Sequence, residues 1–149
     1  MARSIRLILA LTLLVALAAA TVATASAGGR KVLDSTMAGL PVPSTVLNGL
    51  TGGGAPWQIE NGRVLLFADG RLHVEVEGLI IPAQGRNPVP QGKAVVTCGE
   101  TVAAETALVP FSEAGDAEID TVVDLPDPCH GVAVFFTNAT GRWFAVTGF

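Results

Sequence analysis

A strict alternation of apolar and polar residues over residues 71–77 constrains the fold of this chain more than any other feature. A period of two places successive side chains on opposite faces of a β-strand, so that one face is buried and the other is wet. The pattern therefore predicts a half-buried strand. Its buried positions are Leu72, Val74 and Val76, and its wet positions are Arg71, His73, Glu75 and Glu77.

A turn signal stands directly before that strand. The dipeptide Asp69-Gly70 follows another β-rich run, residues 63–68. Asp-Gly between two such runs favours a type I′ turn, in which both central residues have positive φ. We therefore expect a β-hairpin over residues 63–77 with a type I′ turn.

The second half of the chain repeats this organisation. Residues 116–125 alternate, and residues 132–137 are continuously apolar, which is typical of a strand buried on both faces. Further strands are predicted at residues 93–98, 104–109 and 142–148. Turn signals about ten residues apart, without helical periodicity, predict an all-β, single-domain β-sandwich of about seven or eight short antiparallel strands over residues 57–149.

Residues 1–27 have the features of a cleaved signal peptide. Arg3 and Arg6 precede an apolar run over residues 7–20, and small residues at 23–27 fit a cleavage pattern. The run is shorter than the roughly 20 residues that a membrane-spanning helix needs. We therefore expect secretion to the extracellular space or cell envelope, without stable membrane insertion.

Residues 28–56 are rich in proline and glycine, including the run 52–54. Such residues interrupt regular ladders, so we expect an extended arm that lies over the domain and not inside its sheets, with a short helix or strand near residues 44–50. The arm is too apolar for a solvated linker. We expect it to cover apolar surface near Trp143 or Phe144.

The charge of the chain argues against two classes of partner. The 9 basic and 13 acidic residues give a net charge of −4. Loss of Arg3 and Arg6 with the signal peptide would leave 7 basic residues against the same 13 acidic ones. The only adjacent basic pair of the remaining chain is Arg30-Lys31. Nucleic acid and anionic membranes need clustered Lys and Arg, so neither is expected as a partner.

The sequence contains two cysteines, Cys98 and Cys129. An even count in an exported protein favours a disulfide. The alternative is a metal site in which Cys129 and the adjacent His130 are ligands. Paired C-x-x-C spacing, which structural zinc sites use, does not occur, so the disulfide is the better prediction.

Catalytic and metal-binding interpretations of the charged residues compete with a simpler one. His73 shares its wet face with Glu75 and Glu77, which would suit a general acid/base cluster as well as an ordinary solvated face. Asp116, Glu118 and Asp120 carry oxygen ligands that suit Ca²⁺, but side chains along one strand stand about 6.8 Å apart and diverge. We therefore assign no catalytic residue, metal or cofactor, and expect no tight Ca²⁺ site.

The aromatic residues offer a possible interaction surface, formed by Trp57, Trp143 and Phe144. Neighbours on a strand point in opposite directions, so only one of Trp143 and Phe144 can face the core. The other one is a candidate for ligand contact unless the arm covers it.

Several landmarks recur together along nearly the whole mature chain. They are the segment 52–57, the run 69–72 leading into Gly78-Leu79, Cys98, Leu125-Pro126 with Cys129, and the segment 143–148. In these landmarks the chain resembles a group of uncharacterised exported bacterial proteins. The resemblance implies an exported β-rich domain and carries no known activity.

Two functions are compatible with these features. The first is a secreted, non-catalytic binding or structural protein with an unknown extracellular ligand or protein partner. The alternative is a small extracellular hydrolase that uses His73 with Glu75 or Glu77. A deep pocket at His73 would favour the enzyme, and a flat wet surface there would favour the binding protein.

Overall fold

The computed structural model describes residues 29–148, and within this range every regular element is a β-strand. The predicted signal peptide lies outside the described residues. The strands are β1 (Lys31–Gly39), β2 (Val46–Leu47), β3 (Leu50–Thr51), β4 (Asn61–Phe67), β5 (Arg71–Glu77), β6 (Gln91–Cys98), β7 (Thr101–Glu105), β8 (Val109–Pro110), β9 (Ala117–Val122), β10 (Val132–Thr137) and β11 (Trp143–Thr147).

Eight of these strands form one curled antiparallel sheet in the order β7-β6-β10-β11-β1-β4-β5-β9, and β8 adds to the edge of β6. Strand β1 pairs with β4 over residues 31–36 and with β11 over residues 37–39. We call the half formed by β1, β4, β5 and β9 the front sheet, and the half formed by β1, β11, β10, β6 and β7 the back sheet. The predicted antiparallel β-sandwich is confirmed.

The position of β1 corrects one prediction. Residues 31–39 lie inside the sheet, between β11 and β4, and not over the domain as an arm. The prolines of this region, Pro41, Pro43 and Pro56, all follow β1, so the argument from proline and glycine applies only to the later part of the segment. Residues 31–39 contain no proline and are free to pair on both sides.

The hairpin of β4 and β5 is confirmed, but its turn type is not. Gly70 has a φ of 86°, whereas Asp69 is not among the residues with positive φ. The Gly70 N–H donates to the Phe67 carbonyl oxygen at 2.9 Å, which makes a three-residue connection over residues 68–70. A type I turn followed by a glycine in the left-handed region closes such a hairpin, so only one residue needs positive φ.

One hydrophobic core lies between the inner faces of the two sheets. Val64, Leu66, Leu72 and Val74 of the front sheet are fully or almost fully buried in it. On the back sheet, aromatic rings fill the space. Trp57 stacks on Phe144 with 4.1 Å between ring centroids, and Phe111 meets Phe136 edge-on at 5.0 Å.

The outer face of the back sheet carries a second aromatic pair, in which Phe135 meets Trp143 edge-on at 5.8 Å. The short hairpin of β2 and β3 covers this pair. Its turn is Asn48-Gly49, with φ values of 48° and 77°, so the type I′ geometry occurs here. The indole Nε1–H of Trp143 donates to the carbonyl oxygens of Thr45 and Leu50, both at 3.2 Å.

The arm therefore does cover Trp143, as expected, while Phe144 faces the core. Asn48 also donates from its side-chain amide to the Thr97 hydroxyl at 3.1 Å, which fixes the hairpin to β6. The expected short element near residues 44–50 is this β2–β3 hairpin.

The two cysteines are joined by a disulfide, with 5.2 Å between their Cα atoms. The bond links the end of β6 to the loop that precedes β10, strands that already pair with each other. No helix within residues 29–148 is long and apolar enough to cross a membrane.

Removing the disulfide should lower stability strongly. The bond closes a loop with a sequence separation of 31, for which the chain-entropy relation gives about 3 to 4 kcal/mol. For a domain of this size, we expect Cys98→Ser with Cys129→Ser to lower the melting temperature by roughly 10 °C or more, measured by circular dichroism. An unchanged melting temperature would contradict a stabilising role of the bond.

The cover over Trp143 can be tested separately. Trp143→Phe keeps an aromatic ring but removes the one N–H that the carbonyl oxygens of Thr45 and Leu50 share, a bifurcated hydrogen bond worth roughly 1 kcal/mol. We expect faster amide hydrogen exchange at Ser44 and Gly52, which are hydrogen-bonded within this segment. Exchange in β4 and β5 is the internal control. Equal protection of the segment in both proteins would show that the indole does not hold it.

Candidate functional site

The outer face of the front sheet carries a group of charged side chains that are exposed or half-buried. Strands β5 and β9 pair so that His73 lies opposite Asp120 and Glu75 lies opposite Glu118. Directly opposite residues of an antiparallel pair project from the same face with their Cβ atoms about 4.5–5.5 Å apart. The two strands thus bring four titratable side chains together.

The closest contact in this group joins His73 to Asp120. The Nδ1 atom of His73 lies 2.7 Å from Oδ1 of Asp120, with 29% of the histidine side chain and 68% of the aspartate side chain exposed. The hydrolase hypothesis paired His73 with Glu75 or Glu77, which share its strand. The structure instead gives His73 a partner from β9, because cross-strand neighbours are closer than residues two apart along one strand.

Glu118 completes a group of three potential metal ligands. One ligand atom each from His73, Glu118 and Asp120 can be chosen so that all three lie within 4.8 Å of one another. Asp116, which the sequence placed with Glu118 and Asp120, is engaged elsewhere. Its carboxylate accepts from the backbone N–H of Gly78 at 3.0 Å and lies 3.4 Å from the Ser112 hydroxyl.

An open depression of about 350 Å³ adjoins His73 and Asp120. Its lining combines apolar and charged groups: Phe67, Arg71, Leu72, His73, Asp120, Thr121 and Val122. The exposed Val122 forms part of its rim. The mixture can hold a ligand that has both an apolar part and a polar group.

Arg71 occupies one side of this depression in a fixed position. Its guanidinium carbon lies 4.4 Å from the centre of the Phe67 ring, and its Nε–H donates to Asp69 at 2.9 Å. The hydrogen bond from Arg71 lowers the pKa of the Asp69 carboxyl group. Because the pKa is lower in the folded protein, this ion pair stabilises the fold at neutral pH, and the effect is lost as the pH falls through that pKa.

A second, smaller depression of about 230 Å³ lies between the loop before β6 and the loop after β8. Its buried polar residue, Asn87, is fully engaged with the backbone. The side-chain amide donates to the carbonyl oxygens of Val89 and Ser112, and its oxygen accepts from the Val89 N–H. Asn87 therefore joins two loops and does not point at a ligand.

The remaining predicted site residues are structural. Trp57, Trp143 and Phe144 are all buried, so the hypothesis that they form an exposed interaction surface is wrong. Trp143 and Phe144 are neighbours on β11 and point to opposite faces of the back sheet. A β-bulge lies at this point in the pairing of β10 with β11. Cys129 is bonded to Cys98, so its thiolate is not available as a metal ligand beside His130.

Comparison of the chain with known protein families, with curated proteins and with solved structures gave no match.

The electrostatics of the depression can be measured directly. Arg71→Gln removes the guanidinium that lowers the pKa of Asp69, so we expect the Asp69 pKa to rise toward the ordinary aspartate range in a carboxyl ¹³C NMR titration. Arg63→Gln is the control, since Arg63 pairs with Asp34 and not with Asp69. A shift of the same size in both variants would show that general surface charge, and not the Arg71 contact, sets the pKa.

Proposed function

We propose that this protein is exported and acts outside the cell as a non-catalytic binding module, with the outer face of the front sheet as its binding surface. One observation carries the proposal. The chain covers the aromatic pair on the outer face of its back sheet with its own β2–β3 hairpin, whereas the front sheet presents an open depression with mixed apolar and charged lining.

Two features support export. Residues 1–27 have the charge and hydrophobic pattern that predicts a signal peptide, and Cys98 is bonded to Cys129. Disulfides persist in oxidising compartments and are rare where thiols are kept reduced. Membership of a family of exported bacterial proteins stays a prediction.

The alternative function is a small extracellular hydrolase, and the hydrogen bond between His73 and Asp120 is the observation that favours it. A carboxylate on one ring nitrogen orients an imidazole as a general base. The form of the site favours binding, because the depression is open to water and catalytic sites usually exclude it. Among the residues that line the depression, Thr121 carries a hydroxyl group. It follows Asp120 on β9, so its side chain projects from the face opposite to His73 and does not stand beside the imidazole as a nucleophile.

A retention experiment tests the proposal. The secreted protein is immobilised and exposed to extracellular and cell-envelope fractions of the organism that makes it, and retained molecules are quantified by mass spectrometry. We expect Val122→Lys to reduce retention about tenfold or more, since it places a charge at the rim of the binding surface. Val46→Lys is a matched control, because Val46 and Val122 are both 65% exposed, but Val46 lies on the β2–β3 hairpin and Val122 lies at the end of β9 in the front sheet.

Equal retention by the wild type and Val122→Lys would contradict the assignment of the surface. Turnover of ester, peptide or glycoside substrates that is lost in His73→Gln would support the hydrolase and overturn the non-catalytic proposal. Val122→Lys and His73→Gln are first compared with the wild type by thermal unfolding, so that a loss of fold is not mistaken for a loss of binding or of activity.

A further inference from the structure

We propose that His73, Glu118 and Asp120 form a site for a divalent transition-metal ion of the Zn²⁺ class. The inference rests on the proposed function, because it names a ligand for the same face of the front sheet. The three residues come from two neighbouring strands, β5 and β9, so a bound ion would join the edge strand β9 to the rest of the sheet.

The geometry allows all three side chains to reach one ion. Their ligand atoms lie within 4.8 Å of one another, and the Nδ1 of His73 is already 2.7 Å from Oδ1 of Asp120. Zinc bonds of roughly 2.0–2.1 Å in a tetrahedron separate the ligand atoms by about 3.3 Å. Glu118 and Asp120 are exposed, so rotation of their side chains can bring the three ligand atoms to this spacing without movement of the strands.

The chemistry of the three ligands selects the class of metal. An imidazole nitrogen suits Zn²⁺ and its neighbours in the transition series, whereas Ca²⁺ and Mg²⁺ prefer ligand sets made entirely of oxygen. Binding through Nδ1 leaves the proton of the neutral ring on Nε2. Three protein ligands leave a fourth position open for water or for a donor atom of an external ligand.

A second observation also points to a cation. Glu75 lies directly opposite Glu118, and like charges in such a cross-strand position are destabilising. Among residues 29–148 neither glutamate takes part in a salt bridge, and Arg63, which lies opposite Glu75 on β4, is bonded to Asp34 instead. A divalent ion bound to Glu118 would offset this repulsion.

Isothermal titration calorimetry with Zn²⁺ and with Ca²⁺ tests the site. The secreted protein is used without a histidine tag, which would bind the metal itself. We expect one Zn²⁺ per chain, a higher melting temperature with Zn²⁺, and no comparable binding of Ca²⁺. His73→Gln and Glu118→Gln should each weaken Zn²⁺ binding at least tenfold.

Two matched controls separate the site from general effects. Glu77→Gln removes the same charge as Glu118→Gln from the same face, but Glu77 lies outside the group and accepts a hydrogen bond from Asn61. His130→Gln removes the other of the two histidines of the chain. Both controls should retain wild-type affinity.

Three results would overturn the metal site. They are the absence of Zn²⁺ binding, an equal loss of affinity in Glu77→Gln or His130→Gln, and Ca²⁺ binding as tight as that of Zn²⁺. Thermal unfolding of each metal-free variant confirms that it is folded.

The retention experiment distinguishes this inference from the proposed function. Retention of extracellular material that depends on Val122 but not on chelation by EDTA, in a protein that fails to bind Zn²⁺, would overturn the metal site and leave the binding function intact. Zn²⁺ binding at His73 without any retained material would support the site and contradict the proposed binding of an external partner.

Discussion

Strand β1 makes the pairing on which the whole fold depends. Its first six residues complete the front sheet beside β4, and its last three complete the back sheet beside β11. Because one continuous backbone belongs to both sheets, their inner faces are held against the same core. The disulfide acts more locally, since it reinforces β6 and β10, which are already neighbours.

The two outer faces of the sandwich show how the chain uses the segment that follows β1. Trp143 projects outward from the back sheet and would expose a large apolar surface, which soluble proteins avoid. The β2–β3 hairpin returns over it and satisfies the indole N–H with two carbonyl oxygens. The outer face of the front sheet carries mainly charged side chains with a few apolar ones such as Leu65 and Val122, and its charged groups remain accessible to solvent.

Local patterns predicted most of the fold. The alternation around His73 identified β5 and its buried face, and the continuous apolar run at residues 132–137 identified β10. Two predictions are wrong, each for its own reason. The prolines after residue 40 do not bear on β1, which ends at Gly39, and the connection at Asp69-Gly70 has one residue more than the type I′ turn that the chain forms at Asn48-Gly49. The signal for that turn, Asn-Gly between Val46-Leu47 and Leu50-Thr51, is present in the sequence.

The candidate site was harder to predict because it depends on strand register, which no local pattern contains. His73 and Asp120 are 47 positions apart in the chain and meet only because β9 pairs with β5 in one particular alignment. A shift of β9 by one residue would turn Glu118 and Asp120 toward the core and bury their charges. The buried Ile119 opposite Val74 prevents that shift. Apolar packing on the inner face thus fixes which charged groups meet on the outer face.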